Sequence, residues 1–154
     1  MITIKNRIRS FSVENERILS VVQEILKIVR YEEFDIGILI TTNKTIRQYN
    51  KQFRNKDKAT DILSFSYHQG LTPGKRIRAH TEDDKNLGDL IISLEYVHSD
   101  ARAKKISPEE RLKVLLVHGI CHLLGYDHET DSDWRSMRAK EAFVLNKIKE
   151  LSLL

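Results

Sequence analysis

One helix of this chain has to be buried, and the other elements must be arranged around it. Ser107-Pro108-Glu109-Glu110 reads as a helix start: a Ser N-cap, Pro at the first helical position, and Glu at the third to close a capping box. From there Leu112, Leu115, Leu116 and Leu123 with their neighbours make a helix too hydrophobic to lie on a surface, and Gly125 stops it. A helix of that kind needs cover on several sides. Ile2 to Ile8 alternates as a strand, and Glu14 to Arg30 puts Ile18, Val21, Val22, Ile25, Leu26 and Val29 on one helical face. Phe34, Ile36, Ile38 and Ile40 share one side of a second strand. Thr42 or Asn43 caps a second helix, in which Ile46, Tyr49, Asn50 and Phe53 recur at helical spacing. Asp61 to Tyr67 and Leu87 to Leu94 read as two further strands. Between them Gln69 to Asn86 is expected to be a surface excursion, since Gly70, Pro73 and Gly74 break either ladder. Glu95 to Lys105 is a short helix, and a last helix from about Asp131 has Trp134, Met137, Val144, Leu145, Ile148 and Leu151 as its buried stripe. Strands first and helices mostly after give an α+β fold, a small mixed sheet of about four strands packed against about five helices.

A chain of 154 residues is expected to form one domain, residues 1–154, whose folding buries roughly 68–70% of the surface of the unfolded chain. Its longest apolar runs are four residues, Val114–Val117 and Ala142–Leu145, too short to span a membrane. The N-terminus alternates apolar and polar residues and carries Lys5, Arg7 and Arg9 where a signal peptide needs an apolar core. A single cysteine, Cys121, agrees with a reducing compartment, so a cytoplasmic location is expected. The 26 basic and 22 acidic residues give a net charge of +4, mild evidence for a polyanionic partner. Two basic clusters, Arg47 to Lys58 and Lys75 to Arg78, fit either that partner or solvated loops.

The chemistry is concentrated in VHGICHLLGYDHE. His118 and His122 are four residues apart, so on a helix they lie about 40° apart in projection and one turn along, close enough to aim both imidazoles at one ion. Gly125 can take the left-handed conformation that ends a helix, and Tyr126-Asp127-His128 then brings a third imidazole toward the same point. Three neutral His ligands leave a tetrahedral zinc ion one open position, the layout of a catalytic site. A His pair at this spacing arises by chance readily, but adding the third His and the Gly at fixed offsets lowers the odds to the order of a few in ten thousand. His68, His80 and His98 have no partners at ligand spacing and are read as solvated. The same spacing occurs in metzincin proteases, which carry a general-base Glu after the first His; here that position is Gly119. Without it the protease machinery is incomplete, and Glu129 is a poor substitute. Cys121 points about 100° away from His122 around the helix and is read as core. Glu141 interrupts the apolar stripe of the last helix, where a carboxylate is expected to meet either a cation or a ligand His.

The eleven residues from His118 to His128 resemble the signature of the YbeY family of bacterial endoribonucleases and rRNA maturation factors. Asn50 to Phe65 is similar to that family's loop-and-strand segment, and Leu87 to Ser93 to its second characteristic strand. Departures are small: Cys121 stands where many members have an apolar residue, and Ser66-Tyr67 where a proline is common. The resemblance implies a single-strand-specific, metal-dependent endoribonuclease acting on the 3′ end of small-subunit rRNA and in ribosome quality control. Its partners would be single-stranded RNA, rRNA and ribosomal subunits. It further implies that His118, His122 and His128 on and after a central metal-ligating helix hold one zinc-like ion, and that Arg54 is essential for activity. A guanidinium presents a rigid fork of donors to phosphate, although Arg54 also suits an ordinary helix end. Lys51, Lys56 and Lys58 would follow the RNA backbone. Asp61 and Asp89 are candidates for lining roles, or for capping and strand-end hydrogen bonds. The nucleophile stays open between water and the RNA's 2′-hydroxyl. Two other readings are a ribosome assembly factor with a structural metal and a divergent zinc metallohydrolase or protease.

Overall fold

Strand pairing decides where the helices go. The computed structural model describes residues 1–8 and 15–152. Strand β1 (Ile2–Asn6) runs parallel to β2 (Asp35–Thr41), with Ile2 opposite Ile36 and Asn6 opposite Ile40. Parallel neighbours need a crossover, which α1 (Asn15–Val29) supplies. On the other side of β2 lies β4 (Asn86–Ser93), also parallel, and β3 (Ile62–Ser66) pairs antiparallel with β4 as the edge strand. The order is therefore β1-β2-β4-β3. Helix α2 (Asn43–Arg54) precedes β3, and α3 (Leu94–Lys104), α4 (Pro108–Leu123) and α5 (Asp131–Ser152) follow the sheet.

The period-2 alternation of the strands divides the core. Ile36, Ile38, Ile40, Leu90 and Ile92 face α1 and α4 in the main core, whereas Ile91, Leu63 and the partly buried Leu39 and Phe65 face Ile46 of α2 on the opposite side. The expected central helix is α4, which buries Leu112, Leu115, Leu116, Val117, Ile120, Cys121 and Leu123. The Ser107 hydroxyl accepts from the Glu110 N–H at 3.1 Å, the N-cap bond its sequence promised. Of the two candidates for the α2 cap it is Thr42 that accepts, from the Thr45 N–H.

Several boundaries differ from the expectation. Strand β1 stops at Asn6, because the Asn6 side chain takes the Ile8 N–H at 3.0 Å and removes that donor from the ladder. Glu14, where the first helix was expected to begin, lies outside the described residues; α1 is seen from Asn15. The stripe on α5 is narrower than its apolar residues suggest. Met137, Val144 and Ile148 are buried, but Trp134 is 49% and Leu151 47% exposed, since the helix packs through its middle and both lie near its ends. The 69–86 excursion is largely exposed yet fastened: Ile77 is buried and donates its N–H to the Tyr31 hydroxyl at 2.8 Å, and the Arg76 guanidinium covers the Tyr31 ring at 4.1 Å. Among the described residues no helix is long and apolar enough to cross a membrane.

Candidate active site

The end of α4 is built by its glycine. Gly125 has φ of +99°, its N–H donates to the His122 carbonyl at 3.0 Å, and the Tyr126 N–H reaches back to the Cys121 carbonyl at 3.1 Å. These two bonds satisfy carbonyls that a helix end otherwise leaves open and reverse the chain, so His128 returns toward the last turn of the helix. The ring centroid of His128 lies 5.1 Å from that of His122 and 6.1 Å from that of His118, and the two helical rings are 4.6 Å apart. One nitrogen from each ring falls within 4.8 Å of the others, close enough for a single metal ion.

Hydrogen bonding selects which nitrogen faces inward. His122 Nδ1 lies 2.9 Å from the Tyr126 carbonyl, which can only accept, so Nδ1 carries the proton and Nε2 keeps its lone pair. His118 Nδ1 makes the same kind of bond to the Glu141 carboxylate at 3.2 Å. Of the two partners expected for Glu141, the structure thus has the imidazole, an arrangement that orients a ligand ring and raises its basicity. Burial, helped by the neighbouring imidazoles of His118 and His128, lowers the His122 pKa to about 4, which keeps it unprotonated near neutrality. Cys121 is buried, and its thiol is pushed up to about 12 by burial and by the Glu141 charge; it is core, as its helical position implied. The donor set fits a borderline-soft divalent metal with one position left open.

The three imidazoles open into a cleft of about 870 Å³ along the edge strand β3, and Arg54, Lys56, Lys58, Asp61 and Glu129 line it too. Arg54 ends α2. It donates from Nη2 to the Ser64 carbonyl at 2.6 Å and stacks its guanidinium 5.0 Å from the centre of the Phe65 ring. One N–H is therefore occupied by the scaffold, and among the described residues the rest of the fork makes no hydrogen bond, which leaves it able to meet a ligand. The buried Asn50 amide donates to the Lys58 carbonyl at 2.9 Å and pins the basic loop in place, a role its spacing did not reveal. Arg47, in the same basic cluster, is paired with Asp57 at 2.8 Å, and Lys51 is exposed on α2 without lining the cleft.

Asp61 immediately precedes β3, accepting the Ile62 N–H at 2.7 Å and pairing with Arg111 at 3.2 Å, so it is both strand-end acceptor and cleft wall. Asp89 is exposed on the opposite face of the sheet and does not line the cleft. His68 does line it, part-buried, with Nε2 donating to the Asp84 carbonyl at 2.7 Å. Its reading as solvated is corrected, and no local pattern could have shown this because the contact is made across the 69–86 excursion. His80 is exposed and His98 is partly buried in α3. The position that carries the general base in the proteases is filled by packing: a Cβ on Gly119 would lie 2.7 Å from Ile62 Cδ1 and 2.8 Å from Leu90 Cδ2. A Glu side chain there would have to push these methyl groups of the helix–sheet contact aside.

Comparison with known proteins agrees with this geometry. The profile of the family described as endoribonuclease YbeY matches residues 3–149. The human protein named endoribonuclease YbeY is 32% identical over 147 residues, covering 96% of this chain and 87% of its own. A relative of the same name from Syntrophotalea carbinolica is 36% identical over 156 residues, covering 97% of each. A Thermotoga maritima protein solved in solution shares the fold, with a TM-score of 0.56 and 21% identity over 97% of this chain and 93% of that one. With the three signature histidines facing one cleft and the family profile matching residues 3–149 of the chain, the chain belongs to the endoribonuclease YbeY family.

Proposed function

We propose that this protein is a metal-dependent endoribonuclease that cuts single-stranded RNA during rRNA maturation, at the 3′ end of small-subunit rRNA, with a further part in ribosome quality control. The observation that carries this reading is the convergence of three imidazole donors and the Arg54 guanidinium on one cleft. His118, His122 and His128 would hold one zinc ion. When bound, the metal supplies Lewis acidity toward a phosphate oxygen or the attacking oxygen. Glu141 and the Tyr126 carbonyl hold two of the three rings in the required tautomer. Arg54 stabilises charge on the phosphoryl oxygens, and Lys56 and Lys58 neutralise neighbouring phosphates without reading sequence. Arg54, Lys56 and Lys58 on one wall of the cleft suit a polyanion, and a cytoplasmic location with ribosomal subunits as partners goes with this reading.

Substitution of Arg54 tests it. Arg54→Ala is expected to keep metal and fold but to lose cleavage of single-stranded RNA by roughly a hundredfold or more, the scale of removing one preorganised donor. Arg54→Lys restores little, because an ammonium lacks the bidentate fork. Cleavage by Arg54→Ala at the wild-type rate would refute the role, and a metal-loaded wild type that cuts no RNA would favour an assembly factor with a structural metal.

A further inference from the structure

The sheet has a second open surface, on the side away from the main core. Helix α2 covers only part of it and leaves a groove of about 980 Å³ floored by β1, β2 and β4. At the α2 end of this groove three aromatic rings form a continuous set. Tyr49 and Phe53 stack with centroids 6.1 Å apart at 13°, and Phe53 meets Phe65 edge-on at 5.5 Å. Phe53 is 54% exposed, so a large apolar ring is held against water beside two others. Scattered exposed apolar residues need no explanation, but a contiguous aromatic cluster at the mouth of a groove does.

We infer that Tyr49, Phe53 and Phe65 form a base-stacking platform for unpaired nucleotides of the RNA whose backbone enters the cleft. This rests on the endoribonuclease reading of that cleft. Continuity supports it: Phe65 lines both cavities, because β3 is an edge strand and, among the described residues, no strand pairs beyond it. Arg54 stands on the crest between them, its guanidinium over Phe65. A strand leaving the three imidazoles therefore passes a cation and then aromatic faces. Charge supports it as well. Lys5 and Arg7 line the groove, and of its two carboxylates Asp35 is paired with the Met1 amino group at 2.5 Å. The other, Asp89, is exposed on β4 directly opposite Phe65 in the strand register, so at the platform it disfavours phosphates rather than bases. Every base has a π-face, so stacking tolerates any sequence, but a duplex keeps its base faces stacked on one another. The platform accepts unpaired RNA and excludes paired RNA with no base-specific contact.

The probe is an oligouridylate of about twelve nucleotides, a length that spans such a site and whose bases are unstacked when free, with phosphorothioate linkages to resist cleavage and one 2-aminopurine as reporter. Binding to the metal-loaded protein is expected to quench the reporter. Phe53→Ala should weaken binding roughly tenfold and relieve the quenching, whereas Phe53→Trp should restore both. The salt dependence of affinity should stay unchanged in Phe53→Ala, since no phosphate contact is removed. Wild-type affinity and quenching in Phe53→Ala would overturn the inference and leave the aromatic surface to a protein partner, and a wild type that does not bind the probe would overturn it too. The outcome is separable from the nuclease reading. Phe53-dependent binding by a protein that cuts no RNA upholds the platform and rejects the nuclease, whereas RNA cleavage with Phe53-independent binding does the reverse.

Discussion

At the scale of single residues, the centre depends on imidazoles being neutral and correctly aimed. His122 meets the first condition through burial and its two imidazole neighbours, and the second through the Tyr126 carbonyl. This has a consequence for the metal-free protein. Its pKa falls from 6.5 to about 4 on folding, so above about pH 6.5 the ring is neutral in both states. As pH drops from there toward 4, the unfolded chain takes up a proton that the folded chain resists, and stability falls through that window. Urea midpoints of chelated protein should therefore decline between pH 6.5 and 4, and His122→Gln should flatten the decline. An equal slope in the variant would show that another group controls it. The histidine spacing was legible because a helical period is local, and the position of Glu141 on an apolar stripe already called for a partner. His68 and Asn50 were not legible: each acts through a contact that only tertiary folding creates.

At the scale of elements, two glycines set the geometry of α4. Gly125 turns the chain so that His128 can return, and Gly119 lets the helix lie directly against Ile62 and Leu90. The second point separates this protein from the zinc proteases that share its spacing. Gly119→Glu, which completes the protease motif in sequence, forces a carboxylate into the helix–sheet contact. It is expected to destabilise the fold by about 3 kcal/mol or more, without gain of peptide hydrolysis. Thermal unfolding and a peptidase assay check this, and a stable, proteolytic Gly119→Glu would refute the packing argument. Strands, caps and the buried helix were readable from periodicity and cap residues. The α5 stripe was overread at Trp134 and Leu151, because periodicity shows which residues share a face but not how far the neighbouring helices extend along it.

At the scale of the whole molecule, an edge strand, a helix end and a basic loop meet to make one cleft. The helices α1 and α4 cover one face of the sheet, and α2 leaves part of the other open beside it. The sequence order of these parts gave the α+β class. The joining of the 50–58 segment, the end of α2 and the loop after it, to the 118–128 segment required the antiparallel pairing of β3 on β4, which no local pattern encodes. The proposed activity requires metal binding and cleavage to belong to the same site. The most direct test strips the protein with a chelator and then measures metal content and single-stranded RNA cleavage on the same samples as zinc is added back. Both are expected to rise together and to saturate at one ion per chain, with His128→Ala failing in each. Cleavage that persists in the metal-free protein, or that does not follow occupancy of this site, would contradict it.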